Sequence, residues 1–155
     1  MAVIIRRFRL GDEIALAHIF QRSVSTIASA KYREDQVAAW LQSGPGGDEL
    51  RERMRSREAF VAEDGGELIG WIDLLPNGHI DMLYCIPERS RGGIAEMLYA
   101  EVEKRARAMG ISRLHSEASL FAEAFFKRHG WEVDERERVV RLGVTIVRAR
   151  MSVAL

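Results

Sequence analysis

"CIPERSRGGIAEMLYAEVEKRARAMG", residues 85–110, sets a proline and two adjacent glycines directly before a long helical pattern. From Ile94 onward, Ile94, Leu98, Val102, Ala106 and Met109 recur every three or four residues. Glu96, Glu101, Glu103, Lys104, Arg105 and Arg107 fill most of the positions between them. That spacing predicts an amphipathic helix lying on a sheet and stopped by Gly110. Its first turn carries N–H groups without intrahelical partners, at the end where the helix dipole favours an anion. Gly92 and Gly93 have no Cβ to hold a ligand away. Main-chain donors here therefore suit a phosphate or pyrophosphate, with Arg89 and Arg91 adding charge. The same glycines also serve a tight strand-to-helix turn with solvated arginines, and spacing alone leaves both uses open. A P-loop would need a lysine directly after its glycine, and none follows Gly92 or Gly93. A dinucleotide fingerprint would need three spaced glycines in an early strand-turn-helix unit.

Working outward, "VIIRRFRL" (3–10) reads as a first strand, and "GDEIALAHIFQRSVSTI" (11–27) as a helix with Asp12 as cap. "YREDQVAAWLQ" (32–42) is a second helix broken by "SGPGG" (43–47), and "DELRERMRSR" (48–57) a third, very polar one. The runs "EAFVAED" (58–64), "GELIGWIDLL" (66–75) and "HIDMLYCI" (79–86) are separated by "GG" and "PNG", the pattern of an antiparallel meander. After the long helix come a strand, "ISRLHSEA" (111–118), and a short helix, "LFAEAFFKRH" (120–129), closed by Gly130. Two last strands, "WEVDERERVVRL" (131–142) and "VTIVRARMSV" (144–153), are joined at Gly143. The expected class is mixed α/β (α+β): about seven mostly antiparallel strands, four to five helices, and one domain over residues 1–155.

A chain of 155 residues that is 47% hydrophobic and 30% charged has the balance of one globular domain. Its 23 basic and 23 acidic residues cancel, which removes the global electrostatic case for a nucleic-acid partner. No apolar run approaches the roughly 20 residues a bilayer requires. The start "MAVIIRRF" lacks a leader pattern, so a cytoplasmic protein is expected. A single cysteine, Cys85, forms no internal disulfide, and four scattered histidines argue for no metal site.

The stretch "SRGGIA", Ser90–Ala95, resembles the acetyl-CoA loop of the GNAT N-acetyltransferase superfamily, [Q/R]-x-x-G-x-[G/A]. Gly93 and Ala95 match, and Ser90 replaces the usual Gln or Arg. "IRRFRLGDEIAL" (5–16) and "FFKRHGW" (125–131) are similar to the family's opening and late segments, so the likeness runs through nearly the whole chain. The resemblance implies a GNAT-like fold splayed between strands 4 and 5, with acetyl-CoA (coenzyme A) entering the gap. It places the cofactor against Leu83, Tyr84 and Cys85 on the fourth strand and against Arg89, Ser90, Arg91, Gly92, Gly93, Ile94, Ala95 and Glu96 at the loop. Ser119 and Phe126 complete that set. Main-chain groups of Leu83 and Cys85 would hold the pantetheine arm and polarise the thioester carbonyl.

Direct transfer needs a neutral amine and hence a base. His79, four residues before Leu83, matches a base position of the family; Asp81 and Glu117 are the other candidates. An imidazole needs the least pKa adjustment, which favours His79 narrowly over Asp81. Strand alternation sets His79, Asp81, Leu83 and Cys85 on one face. His79 and Asp81 could instead bond each other or cap the "PNG" turn. Cys85 reads as a small buried hydrophobe rather than a nucleophile. Phe126 stands where many members carry a Tyr that protonates the leaving thiolate. Tyr84, Ser119 or water would have to replace it. Tyr32 and Trp40 are candidates for an acceptor pocket, although aromatics there also serve cores.

The implied activity is transfer of an acetyl group to a primary amine of a small molecule or peptide, with no nucleic-acid or membrane partner, and it is compatible with a homodimer. A non-catalytic acyl-CoA-binding or regulatory module of the same fold is the second hypothesis, motivated by Ser90 and Phe126.

Overall fold

The computed structural model describes residues 2–27 and 30–155. In chain order it has β1 Val3–Arg7, α1 Glu13–Ile27, α2 Glu34–Ser43, α3 Gly47–Met54, β2 Glu58–Asp64, β3 Glu67–Leu74 and β4 Leu83–Cys85. A short 3-10 turn Pro87–Arg89 leads to α4 Ile94–Ala108, β5 Arg113–Ser119, α5 Leu120–Arg128, β6 Glu132–Arg141 and β7 Val144–Ala154. Among the described residues, seven strands and five α-helices match the expected class.

The strands form two antiparallel sheets, ordered β1-β2-β3-β4 and β5-β7-β6. Gly65 and Gly66, at φ 60 and 85, close the β2–β3 hairpin as a two-residue turn, with Asp64 opposite Glu67. Leu142 and Gly143, at φ 50 and 78, do the same between β6 and β7. Among the described residues the two sheets meet at one isolated parallel bridge, His79 with His115. Beyond that bridge β4 and β5 separate, which is the expected splay.

The long helix buries Ile94, Leu98, Val102 and Ala106, as its spacing predicts, together with Tyr99. Met109 is only half-buried because the helix has already ended there. Gly110, at φ 76, releases the chain, and Ile111 donates its N–H back to the Ala106 carbonyl at 3.0 Å. Close packing of α4 on the first sheet depends on Gly70. A Cβ there would stand 2.9 Å from the Tyr84 carbonyl oxygen, 3.2 Å from Cys85 Sγ and 3.3 Å from Ile94. Trp71, Ile69, Ile72, Leu98 and Leu114 are fully buried in the core that α4 and α1 cover. Asp12 begins α1 but spends its carboxylate on Arg6, at 2.9 and 3.0 Å, and on the Arg9 N–H rather than on the helix amides.

The fourth strand is shorter than its sequence pattern. Residues 79–82 keep only part of the pairing: the Asp73 and Leu75 N–H groups still donate to the Met82 and His79 carbonyls at 3.1 and 2.8 Å, while the side chain of Asp73, on β3, takes two amides, its Oδ1 accepting from the Asp81 N–H at 2.9 Å and the Met82 N–H at 3.0 Å. Strict alternation is lost there, and Met82 shares a cavity with His79 and Asp81 instead of facing away.

Candidate active site

Two cavities open where the sheets part. One, of about 370 Å3, runs between β4, the turn before α4 and the start of α5, and is lined by Leu83, Cys85, Ser90, Arg91, Ala95 and Glu96 among others. The other, of about 310 Å3, lies between α1, α2 and the β6–β7 hairpin and contains His79, Asp81 and Glu117. Trp40, Tyr84 and Ser119 line both, so the cavities meet at these three side chains.

At the outer end of the first cavity the main-chain N–H groups of Arg91, Gly93, Ile94, Ala95 and Glu96 have no hydrogen-bond partner among the described residues. Gly93 adopts φ 81, a left-handed conformation that L side chains resist, and a Cβ on it would meet nothing within 4 Å. The turn thus presents a row of free donors to open space at a helix N-terminus, the arrangement that accepts a phosphate group. The residues of this turn divide as follows. Ser90, Arg91, Ala95 and Glu96 face the cavity. Arg89 does not: its guanidinium is bound to Asp64 at 2.7 Å. Ile94 contributes only its amide, since its side chain is 1% exposed in the core. Gly92 donates its N–H to the Arg89 carbonyl, so the donors lie on either side of it.

In the second cavity His79 Nε2 stands 2.7 Å from Glu117 Oε2. The Glu117 carboxylate raises the pKa of His79, against burial, and the imidazole in turn lowers that of Glu117. His115 stacks on His79 with ring centroids 5.1 Å apart and planes 13° apart. Burial, with the neighbouring His79 charge adding to it, lowers the His115 pKa. Donor atoms of His79, His115 and Glu117 fall within 4.8 Å of one another. Stacked rings nevertheless keep their lone pairs in two nearly parallel planes, and one metal ion cannot lie in both. Two of the four histidines scattered along the sequence are brought into contact by the fold.

Asp81 has a different setting from the one expected. Its Oδ2 is 2.8 Å from Arg57 and 3.7 Å from Arg53, and it makes no bond to His79. The turn is closed by Asn77, whose Oδ1 accepts the His79 N–H at 3.0 Å. Arg57 also bonds Asp73 at 2.8 Å, and Asp73 is fully buried. Burial pushes the Asp73 carboxyl up, and the guanidinium and two amide donors oppose that rise.

A family model described as "Acetyltransferase (GNAT) domain" matches residues 28–153. The chain belongs to the GNAT acetyltransferase family. It is 34% identical over 137 residues to the uncharacterized N-acetyltransferase YafP of Escherichia coli strain K12, covering 87% of this chain and 85% of that protein. A GCN5-related N-acetyltransferase of Rhodopseudomonas palustris, described as a class-II aminotransferase, superposes with a TM-score of 0.93 at 26% identity, covering 100% and 97% of the two chains. The PaiA N-acetyltransferase of Thermoplasma acidophilum, solved with coenzyme A, gives 0.83 at 18% identity over 100% of both.

Several side chains of this GNAT domain stand elsewhere than expected. Phe126 is 2% exposed and stacks on Trp131 at 4.3 Å, so it belongs to the core under α5 and not to the cavity; Phe125 lines the cavity instead. Cys85 is buried, and burial pushes its thiol up to about 12, so it stays protonated near neutral pH. Tyr84 packs on Phe20 and Trp71, both with centroids at 5.2 Å, and burial raises its phenol well above the ordinary value. Ser119 caps α5, its Oγ accepting from the Ala122 N–H at 3.0 Å, which leaves the hydroxyl hydrogen free to donate. Tyr32 OH donates to the Val147 carbonyl at 3.0 Å and accepts from the Leu120 N–H at 2.8 Å, tying α2, α5 and β7 together beside the cavity. The side chains that sequence reading missed include Phe20, Arg53, Arg141 and Arg148. No local motif marks them, because they come from four separate elements.

Proposed function

We propose that residues 1–155 form a single N-acetyltransferase domain that moves the acetyl group of acetyl-CoA directly to a primary amine. The observation that carries this reading is the meeting of the two cavities at Trp40, Tyr84 and Ser119. A cofactor in one and an acceptor in the other bring their reacting ends to the same place. The Thermoplasma relative, solved with coenzyme A, supports the choice of cofactor. Acetyl-CoA would supply the activated acyl group; the chain's own residues bind it, orient the amine and move the proton.

The amides of Arg91, Gly93, Ile94, Ala95 and Glu96 fit its pyrophosphate, with Arg91 beside them, and Leu83 and Cys85 lie along the path of its pantetheine arm. His79 is the base. With Nε2–H donated to Glu117, Nδ1 carries the lone pair that takes the amine proton. Asp81 is a poorer choice because Arg57 and Arg53 occupy its carboxylate. Ser119 is the better placed donor at the junction. A phenol as weakly acidic as Tyr84 would protonate a thiolate of pKa about 8.5 only uphill, so Tyr84 serves as a hydrogen-bond donor.

Release of free thiol from acetyl-CoA across an amine panel tests the reading. Thermal stabilisation by CoA without turnover on any amine would favour the non-catalytic module instead. CoA should raise the melting midpoint of the parent protein by mass action. Gly93→Ala should lower intrinsic stability by about 1–2 kcal/mol and weaken the CoA shift, since a turn that relaxes away from the left-handed φ of 81 no longer presents its amides in one row. An unchanged CoA shift would assign the glycine to the turn alone.

The paired carboxylate gives a second expectation. Glu117 raises the His79 pKa, so the base form appears only above the ordinary 6.5. The acidic limb of kcat/KM should therefore lie above that value. Glu117→Gln removes the largest interaction that raises the His79 pKa, leaving burial opposed only by the more distant Asp81 and Asp73, and should move the limb down, while the maximal rate falls on the order of tenfold through loss of orientation. Comparison of the two profiles with one amine cancels the substrate's own ionisation. A limb that stays in place would remove His79 from the proton path.

A further inference from the structure

The acceptor cavity holds one cation that no carboxylate compensates among the described residues. Three arginines, Arg53, Arg141 and Arg148, line it with His79, against two carboxylates. Both carboxylates are already engaged, Asp81 by Arg57 and Arg53 and Glu117 by His79. Arg148 is held by Glu137 at 2.6 Å, and Arg53 is shared between Glu49 at 2.5 Å and Asp81. Arg141 is half-buried, and no carboxylate lies within 4 Å of its guanidinium among the described residues. Its single hydrogen bond goes to the adjacent Val140 carbonyl at 3.3 Å. A half-buried guanidinium left with so few acceptors is poised for an anion.

The position of Arg141 is built into the fold. It is the last residue of β6, paired with Val144 across the Leu142–Gly143 turn. That hairpin is tied to α2 by Gln36 Nε2, which donates to the Thr145 carbonyl at 3.0 Å, and to the segment leading into α2 by the Tyr32 hydroxyl on Val147. Arg141 does not line the cofactor cavity, so its anion is not a phosphate of acetyl-CoA. Val139 and Ile146 of the same hairpin and Phe20 of α1 add apolar surface to the cavity.

Resting on the acetyltransferase reading, we infer that the acceptor is a small primary amine that also carries an oxyanion, a carboxylate or a phosphate, bound by Arg141. A volume of about 310 Å3 is at the lower end for ligand sites and fits a molecule of amino-acid size.

Matched pairs test this. The carboxylate arm compares L-phenylalanine with phenethylamine; the phosphate arm compares O-phosphoethanolamine with ethanolamine. In at least one pair the anionic member should show kcat/KM at least about tenfold higher, and the pair in which it does so identifies the anion. In Arg141→Gln that ratio should collapse towards one, and Arg141→Lys should retain part of it, as a point charge without the planar fork. Equal or faster turnover of the neutral amines by the parent protein would overturn this inference and leave the acetyltransferase reading standing. So would a ratio that survives Arg141→Gln. No thiol release with any of the four, from protein that is folded and binds CoA, would overturn both.

Discussion

His79→Gln is expected to lower turnover by on the order of a hundredfold or more and to flatten the rise of rate with pH that an imidazole base produces. CoA affinity should be nearly unchanged, because His79 lines the acceptor cavity and not the cofactor cavity. Asp81→Asn should cost much less, since Arg57 and Arg53 already hold that carboxylate and no bond joins it to the imidazole. Steady-state pH profiles of both variants check the order. If Asp81→Asn is the more damaging, the proton leaves by way of Asp81. A change of less than about threefold in both would point to Glu117 acting through water. The expectation rests on geometry as much as on basicity: one nitrogen of His79 is committed to Glu117 at 2.7 Å, which sets the tautomer and leaves the other nitrogen as acceptor.

The second large effect is on stability. Asp73 is fully buried and accepts from Arg57 and from the N–H groups of Asp81 and Met82. Asp73→Ala leaves a guanidinium that is 11% exposed facing Asp81 alone, and two amides without acceptors. Removal of one partner from such a buried pair should cost about 3–5 kcal/mol, a fall in melting midpoint on the order of 10 °C for a chain of this size. Asp73→Asn should recover part of this, because its carbonyl oxygen can still accept from the amides. A loss below about 1 kcal/mol in Asp73→Ala would mean that water replaces the carboxylate. Turnover should fall in Asp73→Ala even where it is folded, and less in Asp73→Asn, since the same two bonds fix Asp81 and Met82 at the cavity beside His79.

Local chemistry determined the elements. The apolar stripe from Ile94 to Ala106, the stop at Gly110, and the hairpin turns Gly65–Gly66 and at Gly143 were all legible, because each depends on side-chain period or on backbone freedom within a few residues. The free amides before α4 were legible for the same reason: a helix start exposes its donors whatever it packs against. Resemblance added the splay between β4 and β5, which no periodicity reveals. Only the tertiary structure decided which charged groups pair. Arg89 is bound to Asp64, Asp81 to Arg57, and His79 to Glu117, partners separated by 24 to 38 residues. Those separations carry no sequence signal, because a long flexible side chain can reach any carboxylate that the fold sets near it. The fourth strand broke off for a related reason: a buried carboxylate on β3 outcompeted the ladder for two amides, a contest settled by burial and not by strand propensity. Arg141 was invisible in a run of alternating charges along β6 and became significant only once its neighbours were counted. That Arg141 is the arginine of this cavity left without a carboxylate among the described residues is a property of the folded charge distribution, which no local pattern carries.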